Sequence, residues 1–215
     1  MSKIHEIYSV LFKSYGPQHW WPGDTPFEIA VGAILTQNTN WKNVEKAINN
    51  LKAACVLEPA ALYDLPIPKL AEYIKPAGYF NIKAGRLKNF LNWLCDSHSG
   101  DLASLEKIST STLREELLAV KGIGPETADS ILLYALNRPV FVVDTYTARL
   151  AVRHNLIDES SCNYHELQDI FASSLDRDQK LFNEFHALIV CVGKDYCRPR
   201  PLCDLCPLSH LPRNT

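Results

Sequence analysis

The sequence lacks the long apolar stretch that a membrane-spanning helix requires, since no run of about 18 uninterrupted apolar residues occurs in it. The amino-terminal segment MSKIHEIYSV carries charged residues inside its apolar stretch, which argues against a secretory signal. Positive charge is not in excess either, because 22 Lys and Arg are balanced by 24 Asp and Glu among 215 residues. We therefore expect a cytoplasmic protein without a membrane partner, in which any nucleic acid binds at a local site and not on a basic coat.

Strand patterns are almost absent from the sequence. The one strand-like run, Pro139 to Val143, is short and has no evident partner, so we interpret it as a buried connection. Elsewhere apolar residues recur at three- and four-residue spacings, as in residues 26–37, where Pro26 suits a first helical turn and Asp24 or Thr25 can cap it. The sequence therefore predicts an all-α fold of about ten short helices. Besides 26–37, helices are expected near 2–15, 41–53, 67–75, 82–95, 111–119, 145–154, 163–174 and 179–192, and from Pro125.

Cysteine is sparse along most of the chain and crowded near its end. Three isolated cysteines fit the role of small buried apolar residues. The remaining four lie within one short segment, and in a reducing compartment such crowding indicates metal or cluster ligation and not disulfides. The isolated residues are Cys55, Cys95 and Cys162, and the crowded ones are Cys191, Cys197, Cys203 and Cys206.

A glycine hairpin, Gly122-Ile123-Gly124, separates two amphipathic helical patterns. Two glycines around one apolar residue allow a tight turn whose backbone N–H groups point outward. Together with the positive end of the helix that begins at Pro125, these donors can bind a phosphate oxygen. The pattern alone is also compatible with a plain helix–turn–helix corner.

A second signal is Asp144, which an apolar run delivers to the start of a predicted helix. An aspartate in this place commonly caps the helix. Capping is compatible with catalysis, because the helix dipole keeps the carboxylate ionised and oriented. Asp144 is therefore a candidate catalytic residue.

In combination these segments resemble the signature of the endonuclease III superfamily of helix-hairpin-helix DNA glycosylases. The resemblance rests on the hairpin, on Thr127-Ala128, on Val143-Asp144-Thr145 and on AILTQNTN at residues 33–40, and it extends from about residue 20 to residue 206. It implies two helical lobes that flank a DNA groove. One lobe would span residues 22–132 and end in the helix-hairpin-helix, and the other would combine 1–21 with 133–215 and carry the cysteine loop, 191–206.

The resemblance also implies an activity. Members of this superfamily extrude a damaged nucleotide from double-stranded DNA and cleave its N-glycosidic bond. Asp144 would stabilise the positive charge that develops on the sugar, and Gln37 would fill the space that the flipped nucleotide leaves. We expect a monomer that joins the nucleoid when it binds DNA. The further DNA-binding candidates are Asn38, Gly122, Gly124, Thr127, Lys194 and Arg198.

Glu126 is the main departure from the family pattern. Bifunctional members carry at this position a lysine whose amine attacks the sugar, and a carboxylate cannot form that Schiff base. We therefore expect a monofunctional glycosylase, with Glu126 as a second catalytic candidate. The alternatives are a bifunctional glycosylase and AP lyase for oxidised pyrimidines that uses a displaced lysine such as Lys121, or a helix-hairpin-helix protein that binds DNA without catalysis.

A finer resemblance is to the 3-methyladenine DNA glycosylase III branch, which also carries glutamate at this position. It rests on Trp20-Trp21-Pro22 and on residues 35–39, 76–79 and 121–124. Alkylated purines are cationic, and stacking on an aromatic face favours a cation over a neutral base by about 0.5–2 kcal/mol. Trp20 and Trp21 are therefore candidates for a base pocket, although ordinary packing would also explain them.

The cysteine loop resembles the [4Fe–4S] loop of the family, in which four cysteines stand with six, two and five residues between them. Here five residues separate Cys197 from Cys203, two separate Cys203 from Cys206, and the last cysteine is missing. Cys191 is the expected replacement, because a [4Fe–4S] cluster needs four ligands. Zinc is the alternative metal, and His210 is an alternative donor. Lys194, Arg198 and Arg200 would form a phosphate-binding patch beside this loop.

Overall fold

The computed structural model describes residues 2–214, and in that range every regular element is helical, with no strand. The predicted all-α class is confirmed. No helix in this range is long and apolar enough to cross a membrane. The described part of the chain contains eleven α-helices: α1 (Lys3–Tyr15), α2 (Pro26–Leu35), α3 (Trp41–Ala53), α4 (Pro59–Asp64), α5 (Ile67–Tyr73), α6 (Phe80–Asn92), α7 (Thr110–Ala119), α8 (Pro125–Ser130), α9 (Thr145–Arg153), α10 (Tyr164–Ser173) and α11 (Gln179–Asp195).

Contacts divide the chain into two compact units. The central unit is Pro22–Arg138, and the terminal unit combines Met1–Trp21 with Pro139–Thr215. The sequence prediction drew this division after residue 132, inside a buried helical turn that continues α8 through Ile131–Ala135. The central unit extends to Arg138, whose guanidinium donates to the carbonyl oxygens of Leu105, Glu106 and Ile108 in the same unit.

The central unit is built around α2, which is buried on nearly every side. Thr25 caps this helix, since its hydroxyl accepts a hydrogen bond from the N–H of Glu28 at 3.1 Å. Asp24, the other predicted cap, instead pairs with Lys52 at 2.6 Å. Helix α4 was not predicted, because six residues are too few to show a clear helical period.

The terminal unit is built around α11, against which α1 and α9 pack. The run predicted as a buried connection is confirmed: Phe141, Val142 and Val143 are buried and have no regular secondary structure. The Phe141 ring stacks on Phe171 with centroids 4.8 Å apart and meets Phe182 edge-on at 5.5 Å. This aromatic core fixes the chain immediately before Asp144.

The isolated cysteines are less buried than their spacing predicted. Cys55 is exposed, in a left-handed conformation at φ 53° just after α3, and Cys95 and Cys162 are half-buried. The prediction of buried apolar roles is therefore wrong for Cys55. Its position at the exposed end of a helix, and not its residue type, determines its accessibility.

Candidate active site and cysteine cavity

The predicted hairpin lies in the central unit between α7 and α8. Ile123 is buried while Gly122 and Gly124 are exposed, so an apolar anchor holds a turn whose backbone is open to solvent. Gly122 has φ 97°, and a Cβ there would lie 2.5 Å from Cγ of Arg86, so this position requires glycine. A Cβ on Gly124 would meet nothing within 4 Å, which leaves space beside the turn for another molecule.

A half-buried ion pair joins the two helices of the hairpin. Arg114 on α7 donates from Nε and Nη2 to the two carboxylate oxygens of Asp129 on α8, at 2.6 and 3.0 Å. Asp129 is completely buried, and a bidentate pair of this kind is both strong and geometrically specific. The Arg114–Asp129 pair therefore fixes α7 against α8 and holds the turn between them in one geometry.

Gln37 lies against the hairpin, so the structure brings three predicted DNA-binding residues together. Its Nε2 donates to Thr127 Oγ1 at 2.9 Å and to the Gly122 carbonyl oxygen at 3.5 Å, and its Oε1 accepts a hydrogen bond from Arg86. Asn38 follows as an exposed residue with φ 53°. Sequence reasoning missed Arg86, because nothing in its local pattern distinguishes it from a solvated helix arginine.

Lys83 is a second residue of the central unit that sequence reasoning missed. It is 1% exposed, and its Nζ donates to the carbonyl oxygens of Leu35 at 2.8 Å and Ala77 at 2.7 Å. Burial, with a smaller contribution from Arg86, lowers the pKa of Lys83 to about 8. The ammonium group thus ties the end of α2, two residues before Gln37, to the turn that precedes the exposed Tyr79.

Glu126 is exposed in the first turn of α8. Lys121, the displaced lysine considered above, is exposed before the hairpin, and its carbonyl oxygen accepts a hydrogen bond from Asn89 at 2.8 Å. The described structure therefore places a carboxylate, and not an amine, at the start of the hairpin's second helix.

Asp144 lies in the terminal unit as the N-cap of α9. Its Oδ1 accepts hydrogen bonds from the backbone N–H of Thr147 at 2.8 Å and from the Thr147 hydroxyl at 3.0 Å. Its Oδ2 lies 3.7 Å from Nε2 of His186, and the carboxylate is 11% exposed. Both hydrogen bonds from Thr147 go to Oδ1 and orient the carboxylate. Oδ2 is therefore the oxygen that can face a substrate.

His186, on α11, is the second partner of this carboxylate. Its side chain is buried, and burial lowers the pKa of His186 although the charge of Asp144 acts in the opposite direction. A neutral imidazole is favoured, so the negative charge of Asp144 is not cancelled by a neighbouring cation. Sequence reasoning missed His186, which is distant in the chain, whereas the Thr147 N–H is the donor that a capping aspartate is expected to have.

Gly193 allows a close contact between two helices of the terminal unit. It lies inside α11, which continues through it to Asp195. A Cβ on Gly193 would lie 2.3 Å from Cδ1 of Tyr146, so the glycine allows the Tyr146 ring to press directly on α11. This contact fixes α9 two residues after Asp144.

The two tryptophans proposed for a base pocket are half-buried in the terminal unit. Trp20 and Trp21 meet edge-on with ring centroids 5.4 Å apart, and Lys194 Nζ lies 5.9 Å from the Trp20 ring centroid. Arg198 donates from Nε to the Lys194 carbonyl oxygen at 2.9 Å, and both side chains are exposed. The structure therefore brings Trp20 and the predicted basic residues of this unit together.

Three of the four predicted metal ligands share one cavity. Cys197, Cys203 and Cys206 line a space of about 510 Å³, together with Arg153 and His154. This pocket, which we call the cysteine cavity, is otherwise lined by Leu150, Val192, Tyr196, Pro201, Asp204, Leu208, Ser209, Arg213 and Asn214.

The fourth predicted ligand, Cys191, is not among the residues that line the cysteine cavity. Its Sγ donates to Oε1 of Gln18 at 3.1 Å, and His210 is exposed and does not line the cavity either. Among residues 2–214, no three His, Cys, Asp or Glu side chains are grouped closely enough for one metal ion. Cys197, Cys203 and Cys206 therefore share one cavity, whereas Cys191 and His210 lie outside its lining.

The helical fold, the glycine hairpin and the capped aspartate are the features of a base excision DNA glycosylase. The chain matches the model of the HhH-GPD superfamily, described as base excision DNA repair proteins, over residues 31–176, and it belongs to that superfamily. The resemblance inferred from the sequence is thereby confirmed.

Relatives in sequence cover most of the chain. A protein of Methanocaldococcus jannaschii, MJ1434, whose name assigns it provisionally to the DNA repair glycosylases, is 48% identical over 208 residues, which are 96% of this chain and 94% of that protein. Endonuclease III of Sulfolobus acidocaldarius is 29% identical over 182 residues, which are 84% of this chain and 78% of that enzyme.

Solved structures show the same fold. The 3-methyladenine DNA glycosylase MagIII of H. pylori, bound to 1,N6-ethenoadenine, has a TM-score of 0.77 and 32% identity, covering 90% of this chain and 98% of its own. Endonuclease III in a non-covalent DNA complex has a TM-score of 0.81 at 21% identity, covering 98% of this chain and 95% of its own.

Proposed function

We propose that this chain is a monofunctional glycosylase that removes alkylated purines from double-stranded DNA. The observation that carries the proposal is the oriented carboxylate of Asp144, combined with Glu126 where a lysine nucleophile would be needed for lyase chemistry. The similarity to MagIII, whose structure holds 1,N6-ethenoadenine, supports a modified purine as the substrate class.

In the proposed reaction the bond between C1′ of the sugar and the purine nitrogen breaks, and the bonding electron pair leaves with the base. An N-alkylated purine is cationic and therefore departs as a neutral molecule. Positive charge develops on the sugar, where the Asp144 carboxylate stabilises it and guides a water molecule to C1′. Water supplies the hydroxyl group at C1′ and releases one proton to solvent, and no amine takes part.

DNA binding would divide between the two units. In the central unit the exposed hairpin amides at Gly122 and Gly124 contact phosphate oxygens, and Gln37 and Asn38 enter the duplex at the vacated position. In the terminal unit Lys194 and Arg198 supply positive charge, and Trp20 and Trp21 stack on the extruded base. The protein would bind the duplex as a monomer.

We also propose that the cysteine cavity holds a [4Fe–4S] cluster through Cys197, Cys203 and Cys206. When bound, such a cluster would fasten the loop structurally and supply no group to the glycosidic reaction. Arg149 donates to the Cys197 carbonyl oxygen at 2.8 Å, so α9, whose N-cap is Asp144, contacts this loop directly. By fastening this loop, the cluster would also stabilise the position of α9 and of its N-cap Asp144.

The proposal is tested with duplexes that carry N-alkylated purines, uracil, thymine glycol or a mismatch, assayed with and without alkali. We expect excision of alkylated purines and strand cleavage only after alkali. Borohydride trapping serves as the control for mechanism: a covalent protein–DNA adduct would identify a lyase and refute the monofunctional assignment. Binding without excision of any lesion would leave only the DNA-binding alternative.

A further inference from the structure

The cysteine cavity has three thiols where a [4Fe–4S] cluster needs four ligands. Cys197, Cys203 and Cys206 line it, but the position six residues after Cys206, where the family spacing would place the last cysteine, is Pro212. Cys191 does not compensate, since it lies outside the lining and its thiol bonds to Gln18. A four-iron cluster therefore lacks a donor at the corner of the cavity near Pro212.

His154 occupies that corner. It directly follows α9, lines the cysteine cavity and is 6% exposed. Its Nδ1 lies 3.3 Å from the carbonyl oxygen of Pro212, a distance that suits donation from Nδ1–H. A proton on Nδ1 leaves Nε2 with its lone pair, which is the usual arrangement of a metal-binding histidine whose second nitrogen donates to a carbonyl oxygen.

The charges around the cavity suit an anionic thiolate-bound group. Arg153 donates from Nη1 to Sγ of Cys197 at 3.2 Å, and Arg213 also lines the cavity. Lys3 donates to the His154 carbonyl oxygen and lies 3.5 Å from the Pro212 carbonyl oxygen.

We propose that His154, and not Cys191, is the fourth ligand of an iron–sulfur cluster held by Cys197, Cys203 and Cys206. Nε2 of His154 binds the iron that no thiolate reaches. The remaining cysteine near the loop, Cys191, belongs to the hydrogen-bond contact with Gln18 and has no part in ligation.

The first test measures iron and sulfide in the full-length protein purified without oxygen. We expect about four irons per chain in the wild type and in Cys191→Ser. His154→Ala should hold three or fewer and give the paramagnetic signature of a three-iron cluster after mild oxidation. His154→Cys should restore four irons, and circular dichroism of each variant separates loss of a ligand from loss of the fold.

The second test identifies the donor atom. In protein labelled with ¹⁵N-histidine, the reduced cluster should show a strong nitrogen hyperfine coupling that disappears in His154→Cys. Loss of iron from Cys191→Ser with retention in His154→Ala would overturn the assignment. So would absence of the nitrogen coupling, or wild-type protein that contains zinc or no metal. Excision activity is not part of either test, so the result is independent of the proposed glycosylase function.

Discussion

Thr147 gives both of its donors, the backbone N–H and the side-chain hydroxyl, to the same oxygen of Asp144, at 2.8 and 3.0 Å. This double contact occupies Oδ1 and leaves Oδ2 as the oxygen that would face a sugar, so the cap of α9 also orients the proposed catalytic group. Asp144 and Thr147 therefore stabilise the start of α9 and also set the orientation of the carboxylate in the proposed reaction.

Asp144→Asn should lower single-turnover excision by about 10²–10³-fold, because the charge that stabilises the developing cation is lost. Asparagine caps helices about as well as aspartate, so the fold and the affinity for DNA should be nearly unchanged. The matched control is Asp169→Asn, at an exposed position on α10. Near-normal excision by Asp144→Asn would refute the catalytic assignment.

Thr147→Val should reduce kcat by about tenfold, with little change in KM, since one hydrogen bond of about 1–1.5 kcal/mol to Oδ1 is removed. Thr147→Ser keeps the hydroxyl and should retain most of the activity. The backbone donor survives in both variants, so circular dichroism should show an intact α9. Equal rates for the valine and serine variants would show that the hydroxyl does not position the carboxylate.

Gly193→Ala should lower the free energy of unfolding by about 1–3 kcal/mol, because the new methyl group collides with the Tyr146 ring. Gly85→Ala is the matched control: this glycine lies inside α6, and a Cβ there meets nothing within 4 Å. That variant should be neutral or stabilised by about 0.5–1 kcal/mol. Chemical denaturation measures both, and equal effects would contradict the proposed close approach of Tyr146.

Gly124→Ala should weaken binding to damaged and undamaged duplexes by a similar factor, because it obstructs contact with phosphate and not recognition of a base. Its φ of −97° is accessible to alanine and the Cβ has free space, so thermal stability should be unaffected. Fluorescence anisotropy with both duplexes provides the comparison. A loss confined to damaged DNA would be inconsistent with a backbone contact.

Lys83 predicts a pH dependence of stability. Its folded-state pKa of about 8 lies below the ordinary 10.5, so between these values the unfolded chain binds more protons than the folded one. The free energy of unfolding should therefore rise from pH 8 to pH 10.5, by up to about 3 kcal/mol relative to Lys83→Met. Urea denaturation across this range tests the sign, with Lys46→Met at an exposed helix position as control. A flat difference between the wild type and Lys83→Met would contradict the lowered pKa.

The sequence predicted those parts of the molecule that depend on local pattern. The helices with strong periodicity, the hairpin with its buried Ile123 and the apolar run that delivers Asp144 all follow from neighbouring residues. The contacts of Asp144 with His186 and of Gln37 with Arg86 join residues far apart in the chain, and no local pattern encodes them.

Lysine and cysteine were the residue types hardest to interpret from sequence. Lys83 has the pattern of a solvated helix residue, yet two backbone carbonyl oxygens draw its ammonium group into the interior. Cys191 was assigned to a metal because of its spacing, whereas its thiol in the folded chain bonds to Gln18. In both residues a polar partner elsewhere in the chain determines where the side chain lies.

Lys83 joins the end of α2 to the turn that precedes α6 through two buried hydrogen bonds. One ammonium group holds the carbonyl oxygens of Leu35 and Ala77, so the turn that leads to Gln37 and the turn that leads to Tyr79 share a single anchor. We expect a displacement of either turn to affect the other, because the same ammonium group holds both at 2.8 and 2.7 Å. Substitutions in the two turns should consequently be non-additive, and the coupling should vanish when Lys83 is replaced by methionine. The coupling would join two segments that more than 40 residues separate in the chain.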